Sequence, residues 1–412
     1  MKSSVKNRFS NLFQKRQQAF PVPHETTRAP SVTIPNTLSE CFVSKLPKEV
    51  LLRVFDYLRQ ERRSSRSITT TRNRDLYHVS LVCRTWNNLA AHICYHTVQF
   101  YSVLSVLRFH QILQTSSHIS KIVKTLIFPT RYGYACPNEL LDAFQGITNR
   151  IESLSELNTT LRLVEEESST EDGNERFHVL PIGEGHHNDL RHLSLYGNGN
   201  TPARFPAALS SFKRLSSLAL KGVFLSEPVS TDVTPALPRL QDFTIEGGNV
   251  VLMMDDWLLS CPKLQRLFII GPQPAAFSPS TDDPPMRLLV HGKITYWHLS
   301  GSGHTQVGRW LASCNSITCL LLDWTLFSNS SAGIFPPSLH QLSLDILPQD
   351  SVTLDAFDRH FGASPISQVL FIILCWERNA SFEHSKEELK VLCAKSDVFL
   401  EILDRSGYTG TV

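Results

Sequence analysis

The sequence lacks the features of a membrane-spanning or secreted chain. No apolar run among its 412 residues approaches the roughly 20 residues that cross a bilayer. The N-terminus has no apolar core of a secretory signal, and its nine cysteines show no dense framework of the kind that forms disulfides. We therefore expect no membrane span, reduced thiols, and a location in the cytoplasm, the nucleus or both.

Motifs of metal sites and enzymes are missing as well. No Cys-x-x-Cys pair and no Gly-x-Ser-x-Gly elbow is present, and His186-His187 has no further ligands at metal spacing. Gly303 and Gly308 have the spacing of a phosphate-binding loop, but Arg309 replaces its lysine and Trp310 replaces its hydroxyl residue. We expect no catalytic residues, no cofactor and no metal site.

A strong excess of one charge is also absent, since the net charge is +2. The chain as a whole is therefore not an obvious partner of nucleic acid. Residues 1–40 are the local exception, because this basic segment has no acid before Glu25. Its apolar residues share one helical face, which fits a transit peptide or a membrane-surface helix. The alternative is a mobile tail, which we favour because short amphipathic patterns are common in such tails.

A helical pattern begins with "LPKEVLLRVFDYL" at Leu46. Apolar residues recur at helical spacing from Val50 to Leu58, and Pro47 suits a first helical turn. A basic insertion near residues 59–74 interrupts the pattern, which resumes in "DLYHVSLVCRTWNNLAAHI". Two or three short helices up to about residue 95 bury too little surface to be stable alone. Their surplus apolar face needs either a partner or cover from the rest of the chain.

These residues resemble an F-box, over residues 41–95. Leu46-Pro47-Lys48-Glu49, Asp75-Leu76 and Val82-Cys83-Arg84-Thr85-Trp86 match the family pattern in order, although the basic insertion is longer than the usual linker. The resemblance implies docking to a Skp-family adaptor and, through it, to a cullin. It implies these adaptor-binding residues: Leu46, Pro47, Val50, Leu51, Phe55, Leu81, Val82, Cys83 and Trp86.

The remaining sequence, residues 96–412, repeats one pattern. An apolar-x-x-apolar-x-apolar motif recurs at intervals of about 22 to 30 residues, starting at Leu190, Leu215, Leu240, Leu264, Ile294, Ile317, Leu339 and Ile366. Glycine follows five of these motifs, as a tight strand exit would require. Helical patterns lie between them. A strand and a helix in alternation predict a solenoid, and the pattern resembles leucine-rich repeats. The expected fold class is α/β, an all-α F-box module followed by a leucine-rich-repeat-like solenoid.

The ends of this region predict further elements. A first strand is expected within His96–Phe100 and a second from Val123, whereas residues 151–163 are ambiguous. The acidic loop near residues 165–176 is expected to be disordered. Ser385 with Glu388 has the spacing of a capping box, so a helix to about Lys395 and a strand from Val398 to Leu403 should form a C-terminal cap near 385–403.

Two cysteines stand just before a repeat, Cys261 and Cys314. They could form a paired-thiol or metal site. We favour the simpler interpretation, in which each is a small apolar side chain buried between a helix and a strand.

Residues that alternate with the apolar positions of each strand should share the opposite face of the sheet. This face mixes aromatic rings with charges of both signs, which suits a protein client better than nucleic acid. We predict that its client-binding residues are His192, Tyr196, Lys221, Asp242, Glu246, Arg266, Phe268, Tyr296, His298 and Asp323.

The sequence as a whole predicts a non-catalytic substrate receptor of a cullin-based ubiquitin ligase. The F-box would bind the adaptor and the solenoid would bind a client protein. The alternative is a leucine-rich-repeat interaction protein that acts outside a ubiquitin ligase.

Overall fold

A computed structural model describes most of both predicted regions. It describes residues 46–60, 74–128, 138–166, 175–179, 189–197, 203, 209, 211–225, 237–246, 254–270, 287–300, 311, 313–330, 335–361, 369, 371–376, 379–396 and 398–404. The chain divides into two compact units, Met1–Leu51 and Leu52–Val412. The predicted N-terminal tail, the basic insertion from residue 61 to 73 and the phosphate-loop-like segment at 303–310 lie outside the described residues.

Three helices form where the F-box pattern predicts them: α1 (Lys48–Gln60), α2 (Arg74–Ser80) and α3 (Arg84–His96). The carbonyl oxygen of Pro47 accepts hydrogen bonds from the next turn, at 3.0 Å from the Val50 nitrogen. A turn separates α2 from α3, since the Val82 nitrogen donates to the carbonyl oxygen of Val79 and Cys83 is extended. The second helical pattern of the sequence is therefore two helices.

Within the described residues, twelve parallel strands form the sheet of the predicted solenoid, in the order β1-β2-β3-β6-β7-β8-β9-β10-β11-β12-β13-β14. Its strands are β1 (Thr97–Gln99), β2 (Thr125–Ile127), β3 (Glu156–Thr160), β6 (His192–Tyr196), β7 (Ser217–Lys221), β8 (Asp242–Glu246), β9 (Arg266–Ile270), β10 (Tyr296–Leu299), β11 (Cys319–Asp323), β12 (Gln341–Ile346), β13 (Phe371–Trp376) and β14 (Phe399–Asp404). The ambiguous stretch at 151–163 thus supplies β3, and both predicted early strands are confirmed.

Helices connect several of these strands, as a stacked solenoid requires. They are α4 (Val103–Thr115), α5 (Ser117–Ile122), α6 (Asn138–Thr148), α7 (Asp255–Leu259), α8 (Arg287–His291), α9 (Trp324–Asn329), α10 (Leu354–Phe361) and α11 (Ala380–Lys395). The sequence did not predict α9, because its first residue, Trp324, follows directly on the apolar run of β11. The Trp324 indole nitrogen donates to the Ser351 carbonyl oxygen at 2.9 Å.

The apolar positions of the repeat line one continuous core. In β7, for example, Leu218 and Leu220 are buried and alternate with partly exposed residues. Trp297 in β10 and Phe243 in β8 fill the same position and are fully buried. The core forms on one face of the sheet because side chains alternate along each strand, and parallel pairing keeps equivalent positions aligned.

Two glycines show why the strand exit excludes larger residues there. Gly222 has a φ of 58°, a left-handed conformation that other residues rarely adopt. At Gly197 the constraint is space, because an added Cβ atom would lie 2.5 Å from the Gly222 carbonyl oxygen. The other three glycines predicted for this role, at positions 247, 271 and 301, lie outside the described residues.

The last repeat starts three residues later than predicted. Pairing of Gln341 with Phe371 makes Val369, rather than Ile366, the equivalent of Leu339. The sequence "VLFIIL" is apolar throughout, so it has no alternation from which its register could be read.

The C-terminal helix also differs from the prediction, because it begins five residues before the proposed cap at Ser385. Asn379 is its N-cap, and its side-chain oxygen accepts from the Phe382 nitrogen at 2.8 Å. The same side chain donates to the carbonyl oxygens of Leu347 and Asp350. A buried asparagine with three partners fixes the start of the helix more firmly than an exposed capping box would. The helix ends at Lys395, as predicted, and the strand that follows it runs from Phe399 to Asp404, one residue later than predicted.

Strands form at both ends of the acidic segment that was predicted to be disordered. Its two ends belong to an antiparallel hairpin, β4 (Arg162–Glu166) paired with β5 (Glu175–Val179). Glu165 lies opposite Arg176 in the register of the two strands. Residues 167–174 lie outside the described residues.

Candidate protein-interaction surfaces

The turn between α2 and α3 exposes large apolar side chains. Leu81 is 64% exposed and Val82 is 62% exposed, and Cys83 next to them is also exposed. Fully burying an aliphatic side chain, rather than leaving it in water, contributes roughly 1.5–3 kcal/mol of favourable free energy. Two successive side chains do not gain this free energy in the isolated chain. All three were predicted as adaptor-binding residues, and their exposure is consistent with that role.

Among the predicted adaptor-binding residues of the first compact unit, Leu46, Pro47 and Val50 are exposed, whereas Leu51 is buried. Phe55, in the second unit, is buried as well. Trp86 is partly buried, and its ring meets the Phe55 ring edge-on with centroids 5.3 Å apart. Leu51 and Phe55 are therefore covered in this conformation, and their role in adaptor binding stays a prediction.

Helix α1 exposes two further apolar side chains that the prediction of the site omitted, Val54 and Tyr57. They are three residues apart, which puts them on the same side of the helix. Val54 belongs to the apolar residues that recur at helical spacing in the sequence. These residues form a stripe too wide for one neighbouring element to bury, so their spacing does not show which of them remain exposed. Tyr57 gave no signal beyond its spacing from Val54.

All ten predicted client-binding residues lie on the open face of the sheet, the face whose side chains alternate with the buried ones. His192, Glu246 and Arg266 are exposed, and the other seven are partly buried. The strand register aligns them in rows that cross the sheet. One row holds His192, Asp242, Arg266 and Tyr296, the next holds Phe268 and His298, and the third holds Tyr196, Lys221, Glu246 and Asp323.

Charged residues on β7 to β9 are paired across neighbouring strands. The Lys221 ammonium lies 2.9 Å from a Glu246 carboxylate oxygen and 5.7 Å from the centroid of the Tyr196 ring. Burial alone would lower the pKa of Lys221, but the hydrogen bond to Glu246 and the charges of its neighbours raise it overall. Arg266 donates two hydrogen bonds to the Asp242 carboxylate, a bidentate arrangement that fixes the orientation of the guanidinium.

An aromatic cluster lies beside Arg266, at the middle of the open face. Phe268 contacts Tyr296 with ring centroids 5.2 Å apart and meets His298 edge-on at 6.0 Å. Burial raises the pKa of Tyr296 to about 12, with smaller contributions from Cys319 and Asp345 in the same direction. The phenol is therefore protonated at neutral pH and can donate a hydrogen bond. Aromatic side chains with polar tips beside an arginine are typical of the centres of protein interfaces.

Cys261 and Cys314 are buried, as the simpler interpretation of the sequence predicted. Burial raises the pKa of Cys261 to about 11 and that of Cys314 to about 12. Both thiols stay protonated at neutral pH, unlike the thiolates that bind metals. No cluster of three or more potential ligands for a metal ion occurs within the described ranges.

No helix in the described part of the chain is both long and apolar enough to cross a membrane.

Comparison with known proteins identifies the helical region. Residues 43–100 match the family model described as F-box-like. The leucine-rich repeat-containing protein LegL7 from Legionella pneumophila has a similar structure, with a TM-score of 0.40 and 16% sequence identity, over 76% of this chain and 90% of that one. No curated protein shows significant sequence similarity to the chain. The match of residues 43–100, together with the twelve parallel strands that follow, shows that the chain carries an F-box-like domain and a leucine-rich-repeat-like α/β solenoid.

Proposed function

We propose that the chain is the substrate receptor of a cullin-based ubiquitin ligase, acting in the cytoplasm or nucleus. Its F-box-like domain binds a Skp-family adaptor, and the open face of its sheet binds a client protein. The observation that carries this proposal is that the F-box-like match includes the exposed apolar pair Leu81 and Val82. Exposed aliphatic residues on a small helical domain favour a docking surface.

The mechanism is proximity. A receptor that holds a client near a charged ubiquitin-conjugating enzyme raises the effective concentration of the client's lysines and speeds transfer without acting on the bond itself. The transfer chemistry belongs to other subunits of the ligase. Nucleic acid would require a uniformly basic groove. On β7 to β9, Lys221 and Arg266 are each paired with a carboxylate instead, and this favours a protein client.

The proposal is tested by separating its two surfaces in one quantitative pull-down, with tagged full-length chain and the proteasome inhibited. Leu81→Ser with Val82→Ser should reduce capture of purified Skp-family adaptor at least tenfold, because interface anchors contribute ~2 kcal/mol or more. Client recovery should persist. Leu104→Ala with Leu107→Ala, exposed leucines of α4, is the matched control.

The same pull-down tests client binding by the open face with a second variant. Arg266→Ala, Phe268→Ala and Tyr296→Ala together should abolish client recovery while adaptor capture and thermal stability remain. The control is Glu387→Ala with Lys390→Ala, a surface pair on α11. If neither the adaptor nor a cullin is captured while clients are, the chain is an interaction protein outside a ligase. If the triple variant recovers the same clients equally, the open face is not the receptor surface.

A further inference from the structure

The two halves of the open face differ in charge. On β7 to β9 the two cations, Lys221 and Arg266, each bind a carboxylate of the neighbouring strand. The far half, β11 to β14, presents a different set at its open-face positions. In register, these are Cys319, Leu321, Asp323, Gln341, Ser343, Asp345, Phe371, Ile373, Cys375, Phe399, Glu401 and Leu403. Three are carboxylates, and none of these twelve positions is a lysine or arginine.

Exposed apolar side chains flank Glu401 in this far half. Phe399 is 60% exposed and Leu403 is 42% exposed, both on β14 at the end of the sheet. Glu401 lies between them along the strand and is exposed. On the other side the surface is bordered by the aromatic cluster of Phe268, Tyr296 and His298. The surface therefore combines negative charge with aromatic and aliphatic area.

Asp323 and Asp345 stand next to each other on β11 and β12, at the same register position. Both residues have interactions of their own within the chain. The inference therefore rests on the negative sign of the surface charge and does not require either carboxylate to lack a partner. Tyr296 lies close enough for the Asp345 charge to contribute to the rise of its pKa. Aromatic faces and carboxylates thus occur together, and both attract a cationic side chain.

We propose that the far half of the open face binds a basic segment of the client, in which lysine or arginine residues alternate with apolar ones. This deepens the proposed function, on which it rests, by giving the chemistry of the client. Charge complementarity selects the occupant. Nucleic acid and anionic lipid carry the same sign as the surface. A second copy docked symmetrically would place two surfaces of the same sign against each other.

The test uses the purified full-length chain and an array of 12-residue peptides of random sequence. Bound peptides should be enriched in lysine and arginine. For the tightest peptide, replacing its basic residues with glutamine should weaken binding at least about tenfold, since each such contact is a charge-assisted pair. Raising the salt concentration should weaken it as well, because exposed charges are screened beyond about 10 Å at 0.1 M salt.

The variant Asp323→Asn with Asp345→Asn should cause a similar loss of affinity. Its matched control is Asp355→Asn with Asp358→Asn, which removes two exposed carboxylates from α10 instead. Glu401→Lys provides a second variant, at an exposed position. It should weaken the basic peptide and leave a neutral peptide unaffected.

The proposal is overturned if the wild-type chain binds no basic peptide, if bound peptides show no enrichment, or if the asparagine and lysine variants bind as the wild type does. These results are distinct from failure of the receptor function. If client recovery still depends on Arg266, Phe268 and Tyr296 while peptide binding ignores charge, the open face is the receptor surface and the inferred client chemistry is wrong.

Discussion

His360 is a titratable residue held entirely inside the solenoid. Its ring packs against the Phe327 ring with centroids 4.5 Å apart and against the Phe335 ring with centroids 5.2 Å apart. Its Nε2 lies 3.0 Å from the Phe327 carbonyl oxygen, so the neutral ring carries its hydrogen there. Its buried Nδ1 has no hydrogen-bond partner within the described residues, and protonation would place a second hydrogen on that atom. Burial accordingly lowers the pKa of His360, and nearby Arg359 lowers it further.

This lowered pKa makes the stability of the fold depend on pH. The unfolded chain binds a proton at His360 near pH 6.5, whereas the folded chain binds it only at lower pH. The contribution of His360 is therefore complete above about pH 6.5 and is lost as the pH falls through the folded pKa. We expect the free energy of unfolding to fall as the pH drops below about 6.5, measured by urea denaturation.

His360→Gln should make this dependence shallower, because glutamine can still donate to the Phe327 carbonyl but does not titrate. His384→Gln, which removes an exposed histidine from α11, is the control. Equal slopes for His360→Gln and the wild type would show that protonation of His360 does not oppose folding.

At the scale of elements, the chain differs from the F-box pattern between α1 and α2, where the basic insertion is longer than the usual linker. Helix α1 ends at Gln60 and α2 begins at Arg74. The basic sequence between them has no apolar periodicity, and the free energy of closing a loop changes slowly with its length. Deleting Arg62 to Arg72 should therefore change adaptor affinity by no more than about twofold, as measured with purified adaptor.

A variant that replaces the same eleven residues with glycine and serine separates the effect of length from that of sequence. If the deletion abolishes binding but the replacement does not, the length of the connection matters. If both abolish it, the basic residues belong to the docking surface.

At the scale of the whole solenoid, each strand is stabilised mainly by its neighbours. Helix α11 buries Phe382 and Leu389 against the core, and β14 pairs along the whole of β13. A variant that ends at Trp376 would expose that core and leave β13 at the edge. Because stability in solenoids passes between adjacent repeats, amide hydrogen exchange should accelerate most in β12 and β13 and least in β1 to β3.

Hydrogen exchange measured by mass spectrometry would resolve this gradient. Ser385→Ala, a substitution within α11 that leaves β14 in place, is the control. Uniform acceleration across all strands would show instead that the sheet unfolds as one cooperative unit.

The sequence by itself determined the order of the repeat strands and the two faces of the sheet. Alternation with period two is a local property, so seven of the eight repeat motifs predicted the strand register, and every predicted client residue lies on the open face. The helical ladder and the Leu-Pro and Val-Cys-Arg-x-Trp matches likewise sufficed for the F-box-like domain.

Only the tertiary structure decided which apolar residues are covered, because cover depends on neighbours distant in sequence. Leu51 and Phe55 have the same spacing signal as the exposed Val54, yet both are buried. The start of α11 depends on Asn379 reaching the carbonyl of Leu347, a contact between separate repeats. The register of β13 came from pairing with β12, since an all-apolar strand has no preferred face of its own. The acidic half of the open face likewise exists only once parallel pairing brings Asp323 beside Asp345.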